Sequence, residues 1–289
     1  MAQTQSIEHD LRNVSISNIY LGSGSTDESR HEVLTPSKIA SQSAQIRLVS
    51  SHNEVYEPCD DSFALVDALL ADRTNLIGLK PTFCLEIGCG SGYVITSLAI
   101  MLKSGIGGGG TQFFATDINT QAAETTTSTL QSHGVHADII ATDLASGLQK
   151  RMEGMVDVIV VNPPYVPTPE DEVGCDGITA SWAGGLNGRS VIDRILPIAH
   201  KLLSDKGWLY MVTLTANNPM QICRVMSEYG YSCRIVVQRS TEEESLHVIK
   251  FWRDSSKGSA ASTSNEGCSS SSWLSLLSFS SFWKNSSRH

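Results

Sequence analysis

Residues 82–102 read TFCLEIGCGSGYVITSLAIML, and this stretch decides the fold. The apolar segment TFCLEIG predicts a strand, and the glycines after it predict a tight turn. The residues from Tyr93 to Leu102 predict a helix. A strand, a glycine turn and a helix in this order begin a β-α-β unit, in which glycines let the backbone approach a ligand closely.

The same alternation continues along the chain. Further strands are predicted for QFFAT (112–116), HADIIAT (136–142), VDVIVV (156–161), GWLYMVTLT (207–215), YSCRIVVQ (231–238) and SLHVIKFW (245–252). Helices are predicted over about 120–132, 190–203 and 218–229, and another begins after the candidate N-cap Asp61-Ser62. Only a short charged turn separates the last two strands, so they form an antiparallel hairpin. The pattern predicts an α/β fold with a doubly wound, seven-stranded, mostly parallel sheet.

Composition divides the 289 residues into three parts. We expect a disordered polar extension over 1–44, a folded domain over 45–253 and a Ser-rich, mostly disordered tail over 254–289. The formal net charge of −9 argues against stable nucleic-acid binding, which needs a basic surface. No secretory signal or membrane span is expected, and seven cysteines without paired spacing suggest reduced thiols. We therefore expect a cytoplasmic protein, with a nuclear location as an alternative.

Acidic residues follow each of the first three strands. Glu86 ends the first strand, beside Gly88 and Gly90, while Asp117 and Asp143 close the second and third. A carboxylate at Glu86 would repel a pyrophosphate but suits a cationic or hydroxyl-bearing ligand. Asp117 could accept from ribose hydroxyls and Asp143 from an adenine amino group. The alternatives are a turn that needs positive φ at the glycines and ordinary helix caps at the two aspartates.

The fourth strand ends abruptly in NPPY, Asn162 to Tyr165. Prolines end a strand, so a simple terminator is one interpretation. The other interpretation is a clamp for a planar NH₂ group. In this second interpretation, the side-chain oxygen of Asn162 and the carbonyl of Pro163 each accept one hydrogen. Pro164 would stiffen the turn, and Tyr165 would offer an aromatic face to a flat amide or base.

Four segments resemble the motifs of class I S-adenosylmethionine-dependent methyltransferases: EIGCGSG, ATDIN, ATDL and VVNPPY. VYEPCDDSF (55–63), WAGGLNGRSVID and VVQRSTEEE are more closely similar to the eukaryotic branch of the HemK family, especially its plant members. The resemblance implies a Rossmann-like sheet with strand order 3-2-1-4-5-7-6. It also implies methylation of the side-chain amide of glutamine, in the Gly-Gly-Gln motif of the class 1 translation release factor.

The resemblance also implies roles for individual residues. Ser62 would touch the donor S-adenosylmethionine, and Tyr56, Glu57 and Pro58 would form a flap over it, with Pro58 near the substrate. Asn162 would contact both donor and substrate, and Tyr165 the substrate. The remaining donor contacts would come from the strand ends, at Glu86, Gly88, Gly90, Asp117, Asp143 and Leu144. No metal is expected in this chain.

Members of the eukaryotic branch work with a small zinc-binding activator subunit, so the resemblance implies a heterodimer. The third strand, around His136–Thr142, would be the edge of the sheet and could accept the partner by strand addition. Three alternatives remain open at this stage. They are a nucleic-acid N-methyltransferase acting on adenine or guanine, a protein lysine methyltransferase, and a non-catalytic scaffold.

Overall fold

The computed structural model describes residues 42–103, 110–175, 177–240 and 245–253. The predicted tail over 254–289 lies outside these ranges, and so does all but the last three residues of the predicted extension over 1–44. Within those three residues, Ala44 is buried, and its amide donates to the hydroxyl of Ser97 at 3.0 Å. Ala44, one residue before the predicted boundary, therefore contacts the folded domain.

One seven-stranded sheet forms the centre of the domain. Its strands in chain order are β1 (Phe83–Ile87), β2 (Gln112–Asp117), β3 (Asp138–Ala141), β4 (Val156–Val161), β5 (Leu203–Leu214), β6 (Tyr231–Ser240) and β7 (Ser245–Arg253). The spatial order is β3-β2-β1-β4-β5-β7-β6. Strands β1 to β5 pair in parallel, and β7 is antiparallel to both of its neighbours. The predicted fold class and strand order are confirmed.

In the part of the chain that the structure describes, six α-helices surround the sheet. They are α1 (Asp60–Ala71), α2 (Arg73–Leu79), α3 (Tyr93–Lys103), α4 (Thr120–Ser132), α5 (Ser190–Leu202) and α6 (Pro219–Glu228). The assignment of Asp61-Ser62 as the N-cap of α1 was wrong. The N-cap position is Cys59, which makes no side-chain capping bond, and both predicted capping residues lie inside the first turn. The short helix α2 was not predicted.

Strand β4 is the centre of the core, and all six of its residues are buried. Val158 and Val160 point into an apolar cluster with α1, α2 and α3. Ile159 and Val161 point to the opposite face, into a cluster with α5 and α6. Because successive side chains of a strand face opposite ways, both faces of β4 must be apolar when helices cover both. This packing holds the carboxyl end of β4, and with it Asn162, in a fixed position.

The turn after β1 depends on Gly92, which begins the approach to α3. Its φ is +78°, and a Cβ there would lie 2.9 Å from the Cα of Thr126 on α4. No side chain fits at that distance, so glycine lets α3 and α4 pack closely beside the turn.

Candidate active site

A cleft opens at the carboxyl ends of β1, β2 and β4. Its empty volume is about 1030 Å³, which includes open solvent at its mouth. Ten of the predicted site residues line it: Ser62, Glu86, Gly88, Gly90, Asp117, Asp143, Leu144, Asn162, Pro163 and Pro164. Pro58 and Tyr165 are not among its lining residues. In the predicted flap, Tyr56 lines the cleft and Glu57 does not. The roles given to these residues from the sequence stay predictions.

The glycine turn forms the floor of the cleft. Gly88 and Gly90 have φ of +76° and +49°, which glycine adopts without strain. The amides of Gly88 and Cys89 both donate to the carbonyl of Thr116 on β2, at 2.8 and 2.9 Å. The amide of Gly90 donates to the carboxylate of Asp117 at 2.9 Å. These bonds fix the turn against β2 and leave its backbone facing the cleft.

Two carboxyl groups lie next to this turn, that of Glu86 buried and that of Asp117 partly buried. Glu86 is 2% exposed, and one of its oxygens accepts from the amide of Ile95 at 2.9 Å. Burial raises the pKa of Glu86 well above its ordinary range, and the nearby Asp117 raises it further. Burial also raises the pKa of Asp117, although hydrogen bonds from the amides of Gly90 and Asn119 oppose the shift. A cation or a hydroxyl donor in the cleft would compensate both carboxylates.

The third predicted acid has a different environment. Asp143 lies two residues after β3, and its side chain is about half exposed and forms an ion pair with Arg194 on α5. Leu144 follows with φ of +50°, a conformation that bulky residues seldom adopt. The strained backbone at Leu144 turns the chain so that both residues line the cleft.

Asn162 follows β4 directly, and its side chain is held in one orientation. Its amide nitrogen donates to the Oδ2 of Asp61 at 2.9 Å. Its Oδ1 is buried and has no hydrogen-bond partner within the described residues. Since buried polar atoms are nearly always paired, an unpaired acceptor on a residue that lines a cleft points to a ligand that donates. This observation fits a substrate that brings an N–H group.

Asp61 is a site residue that the sequence indicated only as a candidate helix cap. It is 5% exposed, and its carboxylate accepts from five groups. Oδ2 accepts from Asn162 and from the hydroxyls of Tyr165 and Tyr56, at 2.9, 2.8 and 3.3 Å. Oδ1 accepts from the amide and hydroxyl of Ser62, at 2.6 and 3.2 Å. The sequence feature that could have indicated this role is the pair of acids in CDDS (59–62), of which Asp60 is exposed and Asp61 is buried.

The two tyrosines have partly buried hydroxyl groups. Burial raises the pKa values of both Tyr56 and Tyr165, and the charge of Asp61 adds to the shift. Both therefore remain protonated donors at neutral pH. Tyr165 also packs its ring against the apolar clusters on the two faces of the sheet. The structure thus gives Tyr165 an anchoring contact that the sequence did not indicate.

Comparison with known proteins agrees with this geometry. A family model described as the methyltransferase small domain matches residues 61–175. Methyltransferase HEMK2 of Mus musculus is 44% identical over 198 residues, which are 68% of this chain and 89% of that protein. The chain belongs to the HemK family of methyltransferases, in the HEMK2 branch. The resemblance inferred from the sequence is confirmed, and the protein is an enzyme of the protein N5-glutamine methyltransferase class.

Two further members of this family extend the comparison. The eRF1 methyltransferase catalytic subunit mtq2 of Schizosaccharomyces pombe is 32% identical over 223 residues, covering 73% of this chain and 94% of that protein. The solved structure of the E. cuniculi Mtq2-Trm112 complex, responsible for methylation of the eRF1 translation termination factor, has a TM-score of 0.51. Its identity is 30%, and the match covers 70% of this chain and 99% of that one.

Within residues 42–103, 110–175, 177–240 and 245–253, no group of three or more His, Cys, Asp or Glu side chains could hold a metal ion. Among the helices in the same ranges, none is long and apolar enough to cross a membrane.

Proposed function

We propose that this protein methylates the side-chain amide nitrogen of the glutamine in the Gly-Gly-Gln motif of the eukaryotic class 1 release factor. The observation that carries the proposal is the buried, unpaired Oδ1 of Asn162 at the end of β4. The names of the mtq2 and Mtq2-Trm112 relatives support the choice of release factor as substrate.

We propose S-adenosylmethionine as the methyl donor, bound in the cleft by residues that suit its chemistry. When bound, it supplies a methyl group on a positively charged sulfur. Transfer forms a nitrogen–carbon bond and breaks the carbon–sulfur bond, whose electron pair stays on sulfur. The substrate amide then releases one proton. The carboxyls of Glu86 and Asp117 would accept from its ammonium and hydroxyl groups. Ser62, Asp143 and Leu144 line the same cleft and would complete the site.

The chain's own contribution to the reaction is to hold the substrate nitrogen. An amide nitrogen is a weak nucleophile, because its lone pair is delocalised into the carbonyl. The Oδ1 of Asn162 and the carbonyl of Pro163 would each accept one N–H, which fixes the direction of the nitrogen. The same two acceptors would stabilise the positive charge that develops on nitrogen during transfer. No general base is needed for this role, because the proton is lost from a nitrogen that has become acidic.

The partner we propose is a small zinc-binding activator subunit. The supporting observation is β3, which lies at one edge of the sheet and pairs with β2 alone among the described strands. Its Ile139 and Ile140 are only half-buried, and its outer backbone edge could accept a further strand. The Mtq2-Trm112 complex supports a heterodimer of this kind. We propose a cytoplasmic location, where release factors act, with the nucleus as the alternative.

The test is a methyl-transfer assay with labelled donor, on the chain expressed with and without the activator. The substrates are the release factor, its Gln-to-Arg variant at the Gly-Gly-Gln motif, duplex DNA and histone. We expect label only on the unaltered release factor, and more with the activator present. Labelling of DNA or histone but not of the release factor would contradict the proposal.

A further inference from the structure

The NPPY segment is held from two sides. Asp61 holds its side chains, as described above. Its main chain is held from behind by Asn217, in the 3₁₀ turn Thr215–Asn217 that follows β5. Asn217 is fully buried, although its side chain is polar. Its position was not among the residues that the sequence indicated.

The side chain of Asn217 has a partner at each end. Its Oδ1 accepts from the amide of Leu214 at 2.6 Å. Its Nδ2 donates to the carbonyl of Tyr165 at 2.8 Å and to that of Asn187 at 2.9 Å, with Gly188 further away at 3.3 Å. The two short bonds use both hydrogens of the amide. One side chain therefore joins the end of β5, the end of NPPY and the loop before α5.

Gly188 shows how closely these segments approach. Its φ is +64°, and a Cβ there would lie 1.8 Å from the carbonyl oxygen of Tyr165 and 2.4 Å from the Nδ2 of Asn217. Any larger residue would push the carbonyl out of place. Just beyond the motif, the amide of Val166 donates to the carbonyl of Trp182 at 3.0 Å, which ties the exit of NPPY to the same loop.

We infer that Asn217 is a positioning residue for methyl transfer. By fixing the carbonyl of Tyr165, it sets the path of the NPPY backbone and so the direction of the two acceptors that hold the substrate nitrogen. It lines no part of the cleft and acts only through the motif. The inference rests on the proposed function for the identity of the substrate. It requires only that the NPPY motif holds a substrate nitrogen, whichever substrate that is.

The decisive variant is Asn217→Asp, which keeps the shape and the acceptor for Leu214 but replaces the donors by an oxygen. A charged oxygen would face the carbonyls of Tyr165 and Asn187, whereas a protonated carboxyl could still donate to one of them. Facing carbonyls raises the pKa of the introduced group. Two other titratable groups lie near: Arg189, which donates to the Asn217 carbonyl at 3.0 Å, and His247, which bonds to the Thr215 hydroxyl at 3.2 Å.

The matched control is Asn218→Asp, one residue further on. Asn218 is exposed and caps α6 by accepting from the amide of Gln221, which a carboxylate does equally well. It is the next residue along the chain, and within the described residues no hydrogen bond joins its side chain to NPPY. Its pH profile therefore corrects for the effect of an added carboxylate in this turn.

The experiment measures kcat between pH 6 and 8.5 and donor affinity on the heterodimer, with whichever substrate the wild type methylates. A wild type that does not methylate the release factor would refute the proposed function, without affecting the comparison of variants. For Asn217→Asp we expect kcat to be about 10- to 100-fold below wild type at pH 8.5 and to recover at pH 6, with donor affinity within about threefold. An unchanged kcat, or equal losses of kcat and donor affinity at every pH, would overturn the inference.

If Asn217→Asp does not bind the methyl donor at any pH, Gly188→Ala decides, because its methyl group displaces the Tyr165 carbonyl from its contact with Asn217 without changing the chemistry of either residue. A lowered kcat with donor affinity retained supports the positioning role. An unchanged kcat, or a loss of donor affinity as large as the loss of kcat, refutes it.

Discussion

Replacing Asp61 by Asn tests how the orientation of Asn162 is set. The substitution keeps the size of the side chain but replaces one carboxylate oxygen by a donating NH₂ group. The amide of Ser62, 2.6 Å from Oδ1, belongs to the helix backbone and cannot turn away. We therefore expect the oxygen of the new amide to face Ser62 and its NH₂ to face Asn162. The Asn162 amide then flips, so that its oxygen accepts from the new NH₂ group and its own NH₂ faces the cleft.

The size of the effect follows from the bonds that change. The flipped Asn162 presents a donor to the substrate N–H where it had presented an acceptor. Loss of a hydrogen bond to a group that develops charge costs about 2–3 kcal/mol, which corresponds to about 30- to 160-fold in kcat. Tyr165 also loses its charged acceptor at 2.8 Å, which adds to the disorder of the motif. Glu86 and Asp117 are untouched, so donor affinity should change by less than about fivefold.

The assay is steady-state methyl transfer at saturating substrate, with donor affinity measured separately by calorimetry. The matched control is Asp60→Asn, which removes the same charge from the exposed neighbouring position and should leave kcat within about twofold of wild type. Wild-type kcat in the Asp61 variant would refute the reasoning. So would a loss of donor affinity as large as the loss of kcat, because the defect would then lie in donor binding.

Three further predictions concern the cleft. Asn162→Ala should lower kcat by about 10²- to 10³-fold while the Kd of the donor, by calorimetry, stays nearly constant; a parallel rise in Kd would contradict the clamp. Asp117→Ala should do the reverse and raise the donor Kd about 10- to 100-fold, so a wild-type Kd would refute its assignment to the ribose. The pKa of Glu86 in the folded state is raised above its ordinary value of 4.5. The protonated side chain therefore stabilises the folded state below pH 4.5, and this stabilisation is lost as the pH rises. In urea denaturation of the ligand-free protein, the stability of Glu86→Gln relative to wild type should therefore increase between pH 5 and 8, since glutamine can still accept from the amide of Ile95. A stability difference that does not change with pH would show that ionisation of Glu86 does not destabilise the fold.

The parts of the fold that the sequence predicted are those that depend on local pattern. β4 was recognisable because an unbroken β-branched run must be covered on both faces, and the acids could be placed together because parallel strands end at one edge of the sheet. The orientation of Asn162 was not predictable in this way. It depends on Asp61, 101 residues earlier in the chain, returning over the end of β4. The contact between Asn217 and Tyr165 spans 52 residues, and no local pattern marks Asn217.

The proposed function requires that the Asn162 clamp holds a glutamine amide for methylation. Its most direct test is mass spectrometry of the release factor after reaction with the heterodimer and a donor that carries a deuterated methyl group. The label should lie on the side-chain nitrogen of the Gly-Gly-Gln glutamine, and it should be lost with the Gln-to-Arg factor and with the Asn162→Ala enzyme. Label on a lysine, or label on the glutamine that persists without the Asn162 side chain, would contradict the account.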